Sequence, residues 1–143
     1  MKKLMIGMMV VCSLMALSGG AWCGNNGTGT VTVNGLIWLE DAGCMGRMNW
    51  AEATTRPKSL AHGQCGLTDN SKPGDWRLPT IDELKAGSSA KGQFRNVQAG
   101  YYWSSSTYAV YTDYAWVVYV STGYVGNVDK YGYYSLWPVR GGQ

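Results

Sequence analysis

Short runs of alternating hydrophobic and polar residues predict a chain built mainly from β-strands. The pattern begins at 31–33 and resumes, after the pair Asn34-Gly35, in the apolar run 36–39. An Asn-Gly pair between two such runs is typical of a tight β-hairpin. Pro138 limits the last strand to a sheet edge or a bulge. Beyond residue 100 we predict a meander of further strands at 101–105, 115–120, 124–129 and 136–140.

Two helix starts interrupt the strand pattern. Asn49 is a suitable N-cap for a helix beginning at Trp50, because its side chain accepts hydrogen bonds from free N–H groups of the first turn. Thr80 and Glu83 have the spacing of a capping box. We expect this second helix to end early, at the Gly-Ser-Ser sequence 87–89.

The N-terminus has the features of a secretory signal peptide. A positively charged start precedes an apolar run at 4–17 and then small residues, which predicts cleavage after Ala21, or alternatively after Cys23. The apolar run is shorter than the roughly 20 residues of a membrane-spanning helix, which argues against an anchor. Bulky Trp22 before Cys23 argues against a lipoprotein.

The chain that remains after cleavage is about 120 residues long, which suits one domain with one core. We divide the sequence into a signal peptide at 1–21, a flexible lead at 22–30 and a domain at 31–143. Loss of two lysines leaves ten basic residues against nine acidic ones, so the formal charge falls from +3 to +1. Without a basic stripe, nucleic acid is excluded as a partner. We expect a secreted, periplasmic or cell-surface protein that does not span a membrane.

The two cysteines inside the domain, Cys44 and Cys65, are expected to pair. In an oxidising compartment their disulfide would close a loop of about 20 residues and stabilise the fold by roughly 3 kcal/mol. The alternative is a metal site that uses His62 and Cys65. Such a site needs four ligands, and the chain has a single histidine.

All ten tyrosines lie between Tyr101 and Tyr134, among Ser, Thr, Gly, Asn and Asp residues. This mixture is typical of an antibody paratope, where tyrosine offers a rigid contact area with a polar tip. The alternative is that the rings only decorate a twisted sheet, because tyrosine has high β propensity. We interpret Tyr102 and Tyr134 as packed near the sheet. The predicted ligand-binding residues are Tyr108, Tyr111, Asp113, Tyr114, Tyr119, Ser121, Tyr124, Asn127, Asp129, Tyr131 and Tyr133.

Five short sequence motifs, spread over about 31–142, together resemble the Lcl C-terminal-domain family, which is named for a collagen-like bacterial adhesin. They are NGLIW at 34–38, CGLTD at 65–69, GDWRLPTIDEL at 74–84, YWSSS at 102–106 and WPVRGG at 137–142. The resemblance implies an α+β, C-type-lectin-like fold with two helices and a mixed, mostly antiparallel sheet with long loops. It implies paired N- and C-terminal strands. It also implies binding of sulfated polysaccharide, for which Arg95 and Lys130 are the obvious cations.

Chemical activity finds little support in the sequence. Asp113, Asn127 and Asp129 are candidate calcium ligands, although solvated loop residues are the simpler interpretation. The chain has no Gly-x-Ser-x-Gly phrase. Asp82 and Glu83 are adjacent on a helix, so their side chains diverge and cannot flank a substrate. We therefore predict a protein that is not an enzyme and uses no metal and no cofactor. Arg77 and Arg140 are assigned to structural ion pairs or backbone hydrogen bonds.

The sequence thus predicts an adhesin-like domain that binds a glycan or a host or cell-surface protein reversibly, with no assigned oligomeric state. One alternative is a receptor varied by a diversity-generating retroelement, since such variable proteins resemble this chain in their Tyr-rich C-terminal segment. The other is a structural component of the cell envelope.

Overall fold

The computed structural model describes residues 24–142, so the predicted signal peptide lies outside the described residues. The helices are α1 (Trp50–Thr55) and α2 (Ile81–Ser89), each followed by a 3₁₀ turn, at Arg56–Ser59 and Lys91–Gln93. Within 24–142 no helix is long and apolar enough to cross a membrane. The strands are β1 (Gly24–Asn25), β2 (Thr30–Val33), β3 (Leu36–Leu39), β4 (Arg47–Met48), β5 (Tyr101–Thr107), β6 (Tyr114–Tyr119), β7 (Tyr124–Asp129), β8 (Tyr134–Ser135) and β9 (Val139–Arg140).

The strands form two sheets. One has four strands in the order β1-β2-β3-β9, and the other has five in the order β4-β8-β5-β6-β7. The described pairings are antiparallel except for β5 with β8. The pairing of β3 with β9 joins strands from the two ends of the domain, as the resemblance implies. The architecture is therefore α+β, with two helices and two mostly antiparallel sheets.

Both faces of the five-stranded sheet contribute to a core. Tyr102 pairs with Val118 on one face, and Trp103 pairs with Val117 on the other. The first pair joins the larger core, together with side chains of β2, β3, β9 and α2. The second pair joins a smaller core, in which Ala53 of α1 is buried. Because α1 has only six residues and spans about 9 Å, it covers only part of its face.

The local predictions for the hairpin and the helix starts are confirmed. β2 and β3 pair on either side of Asn34-Gly35, and both turn residues adopt the positive φ that this hairpin turn requires. The Asn49 side chain accepts a hydrogen bond from the backbone N–H of Glu52 at 2.9 Å. Both reciprocal hydrogen bonds of the capping box between Thr80 and Glu83 are present.

The second helix ends at the predicted Gly-Ser-Ser sequence, since α2 stops at Ser89, but it includes all three of these residues. Gly87 lies against the ring of Trp38, and a Cβ at this position would clash with that ring. Packing of the helix onto the buried indole therefore outweighs the low helix propensity of glycine.

The predicted last strand at 136–140 is confirmed only at its end, where β9 lies, and the two residues just before this range form β8 in the other sheet. Between them the indole of Trp137 donates a hydrogen bond to the carbonyl of Leu39 at 2.8 Å, where the chain crosses from one sheet to the other. The sequence pattern also did not predict β4, or β1 within the segment 22–30.

The disulfide prediction is confirmed. Cys44 and Cys65 are bonded, with Cα atoms 5.8 Å apart. Neither sulfur is therefore available as a metal ligand. His62 Nδ1 instead accepts a hydrogen bond from the backbone N–H of Asn70 at 3.1 Å, which shapes the loop.

Arg77 and Arg140 both form ion pairs with buried or half-buried carboxylates. Arg77 donates two hydrogen bonds to Glu83, at 2.7 and 2.8 Å, and these bonds hold the pKa of Glu83 below its ordinary value. Arg140 Nη2 lies 3.1 Å from Oδ2 of Asp69. Burial alone would raise the pKa of Asp69, but hydrogen bonds from Ser71 and the charge of Arg140 outweigh burial and lower this pKa.

Candidate ligand-binding surface

The register of the five-stranded sheet sorts the C-terminal tyrosines onto two faces. Tyr119 lies between Tyr101 on one neighbouring strand and Tyr124 on the other, so these three side chains share a face. Tyr114 pairs with Asp129 on the opposite face, because side chains one residue apart, or any odd number apart, point to opposite sides of a strand.

The first face carries four tyrosines on four adjacent strands, which we call the tyrosine row. Its members are Tyr134 of β8, Tyr101 of β5, Tyr119 of β6 and Tyr124 of β7. Ring centroids lie 5.7 Å apart for the first pair and 5.3 Å for the second, both in edge-to-face geometry. Such contacts stabilise by about 0.5–1.5 kcal/mol each. They therefore hold three of the four rings in fixed positions.

Buried groups support the row from inside the molecule. The ring of Trp103 contacts the ring of Tyr134 at 5.1 Å, and its indole donates to the carbonyl of Met48 at 2.8 Å. At the outer strand, Tyr124 leans along β7 over Gly126, which has no side chain to displace it. Tyr124 is exposed, whereas the other three tyrosines of the row are half-buried.

A cleft of about 370 Å³ adjoins the row, and Tyr101 and Tyr134 belong to both. Its other walls include three glycines and Arg47. The hydroxyl of Tyr102 positions these walls, since it donates to the carbonyl of Ala42 at 2.9 Å and accepts from the backbone N–H of Gln98 at 2.8 Å. Burial raises the pKa of Tyr102, so its hydroxyl stays protonated further into alkaline pH than that of an ordinary tyrosine.

The opposite face carries a second aromatic group, which we call the loop cluster. It consists of Tyr108, Tyr111, Tyr114 and Trp116. The rings of Tyr108 and Trp116 are perpendicular, with centroids 4.9 Å apart. The ring centroids of Tyr111 and Tyr114 are 6.1 Å apart. A hydrogen bond of 2.8 Å from the N–H of Tyr108 to the carbonyl of Tyr114 closes the loop that presents them.

The family model of the Lcl C-terminal domain matches residues 27–140 of the 143-residue chain. The chain belongs to the Lcl C-terminal domain family. No curated protein matches it. Because the match includes β2 through β9, the tyrosine row, the cleft and the loop cluster are parts of the Lcl C-terminal domain itself.

The predicted binding residues of this Lcl C-terminal domain are divided between the two faces and the turns. Asn127 and Asp129 share the face of the loop cluster, since they pair with Trp116 and Tyr114. Tyr119 and Tyr124 are in the tyrosine row, Tyr108, Tyr111 and Tyr114 are in the loop cluster, and Asp113, Ser121, Tyr131 and Tyr133 lie in turns or loops.

None of the nine residues that line the cleft is among those predicted, and three of them carry the rings and the charge of the site: Tyr101, Tyr134 and Arg47. Tyr101 lies in a predicted strand, and the pairing of that strand with 115–120 would have indicated it. Tyr134 does pack near the sheet as predicted, but it also lines the cleft. Arg47 belongs to β4, a strand of two residues without a sequence pattern.

The cations implied by the resemblance both have structural partners. Arg95 Nε lies 3.2 Å from a carboxylate oxygen of Glu40. Lys130 donates to the hydroxyl of Thr107 at 2.9 Å and lies 4.0 Å from the ring centroid of Trp50. Both cations therefore already have contacts within the protein.

Two of the three candidate calcium ligands, Asn127 and Asp129, lie on β7 with one residue between them. In the described part of the chain, no group of three or more His, Cys, Asp or Glu side chains could hold a metal ion. Asp129 instead accepts a hydrogen bond from the backbone N–H of Tyr131 at 2.8 Å, which shapes the turn after β7.

Proposed function

We propose that this Lcl C-terminal domain is an exported, adhesin-like recognition module. It binds a glycan or a cell-surface protein reversibly through its C-terminal tyrosines. The observation that carries the proposal is the exposure of Tyr111, Tyr124, Tyr131 and Tyr133, at 63%, 61%, 79% and 60% respectively. Large rings left in water regain contact when a ligand covers them, and each offers a hydroxyl for hydrogen bonding.

The proposal includes a C-type-lectin-like fold and export from the cytoplasm. The pairing of β3 with β9, two helices and two mostly antiparallel sheets support the fold. The Cys44–Cys65 disulfide supports export, because such bonds form and persist in oxidising compartments.

The proposed mechanism is non-covalent contact without catalysis. Two ionisable groups that a hydrolase could use have structural partners: His62 bonds the backbone of Asn70, and Glu83 pairs with Arg77. Groups committed in this way hold loops and helix ends in place. Recognition through rings and hydroxyls needs no further chemical group.

A binding screen tests the proposal. The exported protein would be applied to a glycan array and to host-matrix proteins, beside the triple variant Tyr111→Ala/Tyr119→Ala/Tyr124→Ala. A matched control is Glu52→Ala/Lys72→Ala, which changes two exposed side chains away from the tyrosines and leaves the net charge unchanged. We expect the triple variant to lose at least about tenfold in affinity, with the control unchanged.

Equal binding by the parent and the triple variant would remove these tyrosines from the site. Cleavage of a bound probe would contradict the absence of catalysis. If neither the parent nor the control variant binds any probe, the recognition function has no support.

A further inference from the structure

The geometry points to a more specific ligand and site: the tyrosine row and its cleft bind a short linear glycan, and Arg47 binds a carboxylate of that glycan. This inference rests on the proposed function. It chooses between the two aromatic surfaces, and it names the chemistry of the occupant.

The row is better organised for an elongated ligand than the loop cluster is. Its four rings stand on four adjacent strands and extend over about 14 Å across the sheet. Mutual edge-to-face contacts hold Tyr134, Tyr101 and Tyr119 in place before a ligand arrives, which lowers the entropy cost of binding. Through Tyr101 and Tyr134 the row continues directly into the cleft.

A glycan suits this surface better than a peptide. β5 and β6, at the centre of the row, are bonded to neighbouring strands on both sides. An extended peptide therefore cannot join the sheet there as an added strand. The row instead offers ring surfaces to the C–H groups of a sugar and phenolic hydroxyls to its hydroxyl groups.

The charges around the row favour a carboxylate. Neither the row nor the lining of the cleft contains Asp or Glu. Arg47 is exposed, its Nη2 donates to the carbonyl of Tyr133 at 2.8 Å, and it forms no ion pair within residues 24–142. That backbone bond holds the guanidinium, whose planar fork matches a carboxylate.

The number of available cations argues for sparse charge on the ligand. Lys91 donates to the carbonyls of Val120 and Ser121 at 3.1 and 2.7 Å, and Arg95 and Lys130 have the partners described above. Among the described residues that line the cleft, Arg47 is the one cation. A chain with isolated carboxylates fits this single charge better than a densely sulfated chain does.

Calorimetric titration of the full exported protein tests the inference with three probes. They are a hyaluronan octasaccharide, the same chain with its carboxyl groups reduced to alcohols, and a heparin octasaccharide. A sialylated oligosaccharide is a fourth arm that distinguishes sialic acid from uronic acid as the source of the carboxylate. We expect the parent to bind the hyaluronan or the sialylated probe about tenfold more tightly than the reduced chain, and more tightly than heparin, whose carboxylates stand among dense sulfates.

Three variants locate the site, and Glu52→Ala/Lys72→Ala is the matched control that should leave binding unchanged. Tyr124→Ala and Tyr111→Ala remove equally exposed rings from opposite faces of the sheet. Tyr124→Ala should weaken binding of the charged and the reduced chain alike, by about tenfold, and Tyr111→Ala by less than about twofold. Arg47→Gln should abolish the preference for the carboxylated chain and leave binding of the reduced chain unchanged. Circular dichroism confirms that each variant is folded.

Each contrary result has a separate meaning. A loss in Tyr111→Ala with none in Tyr124→Ala would place the site on the loop cluster and overturn the inference, while the proposed function stands. Tightest binding to heparin, or equal binding of the reduced chain, would overturn the carboxylate assignment. Binding of a protein with no glycan bound would overturn the ligand class. Failure of all glycan and protein probes would defeat the proposed function as well.

Discussion

Trp38, Trp103 and Trp137 are at most 1% exposed, whereas Tyr124 and Tyr131 leave 61% and 79% of their surface in solvent. The tryptophans fill the two cores, and the exposed tyrosines stand on the outer strand and turns of the five-stranded sheet. Both residue types carry one polar group on a large ring. The two regions differ in where that group finds its partner.

In the cores the partner is a backbone carbonyl. The indoles of Trp103 and Trp137 each donate at 2.8 Å to a carbonyl of a distant segment. Tyr102 follows the same rule, because it is fully buried and its hydroxyl has two backbone partners. Trp76 is an exception, since its Nε1 has no partner within residues 24–142. Trp103, Trp137 and Tyr102 thus satisfy their polar groups on the backbone inside the protein, whereas the exposed tyrosines keep their rings in solvent.

The largest expected effect comes from a substitution of a buried tryptophan in the core. Trp137→Ala removes edge contacts with Trp38 and Phe94 and the hydrogen bond to Leu39. We expect a loss of about 3–5 kcal/mol in the free energy of unfolding, because a large cavity remains between the sheets. Urea denaturation measures the loss. Trp137→Phe is the control, with a smaller loss, and a change below about 1 kcal/mol for the alanine variant would contradict the packing role.

Removal of the disulfide should have the next largest effect. Cys44→Ser/Cys65→Ser frees the unfolded chain from a closure between residues 21 positions apart, and should cost roughly 3 kcal/mol. Gly43 and Gly46, on either side of Cys44, line the cleft, so the affinity for ligand should fall as well. Thermal unfolding and titration of the same sample measure both, with the reduced parent protein as the comparison. Lower stability with unchanged affinity would show that the cleft wall does not depend on the disulfide.

The local features of the fold follow from short sequence signals. An Asn-Gly turn, the Asn49 cap and the Thr80–Glu83 capping box depend on neighbouring residues, so each could be predicted at its position. The disulfide could be predicted because the domain contains only one pair of cysteines. The sequence did not indicate that α2 includes Gly87, or that only the end of 136–140 is a strand. These features depend on contacts with Trp38 and Leu39, which are distant in sequence.

The candidate site shows the same limit. The sequence indicates that tyrosines are concentrated after residue 100, but the face on which each one lies depends on strand register. Parallel pairing of β5 with β8 places Tyr134 beside Tyr101, and no local pattern predicts that pairing. Arg47 lies at the site because β4 pairs with β8. Its partner in that pairing, Ser135, is 88 positions later in the sequence.

A smaller effect is expected on the pH dependence of the free energy of unfolding. The pKa values of Glu83 and Asp69 are lowered in the folded protein, chiefly by hydrogen bonds from Arg77 and Ser71 respectively. Their contribution to stability is therefore present above the ordinary carboxyl pKa of about 4 and is lost as pH falls through the lowered values. Glu83→Gln should cost about 1–2 kcal/mol at neutral pH and reduce the acid sensitivity.

Asp82→Asn is the matched control for that measurement. Asp82 directly precedes Glu83 on α2, and its side chain is 89% exposed. Its Oδ1 lies 3.5 Å from Nζ of Lys85. We expect this variant to follow the parent protein in thermal melts from neutral to acid pH, because an exposed ion pair contributes little. Equal acid sensitivity of Glu83→Gln and the parent would exclude the Arg77–Glu83 pair as a source of the pH dependence.

The smallest expected effect concerns the tyrosine surface itself. Tyr131→Ala and Tyr111→Ala should each change the free energy of unfolding by no more than about 0.5 kcal/mol, because surface substitutions away from buried features rarely do more. Tyr131 is the more stringent test, since 79% of its surface is in solvent and its described hydrogen bond uses its backbone N–H. Urea denaturation beside Trp137→Ala measures both regions on one scale. A loss above about 1 kcal/mol in either tyrosine variant would mean that the ring stabilises the fold. Its exposure would then no longer support a role in binding.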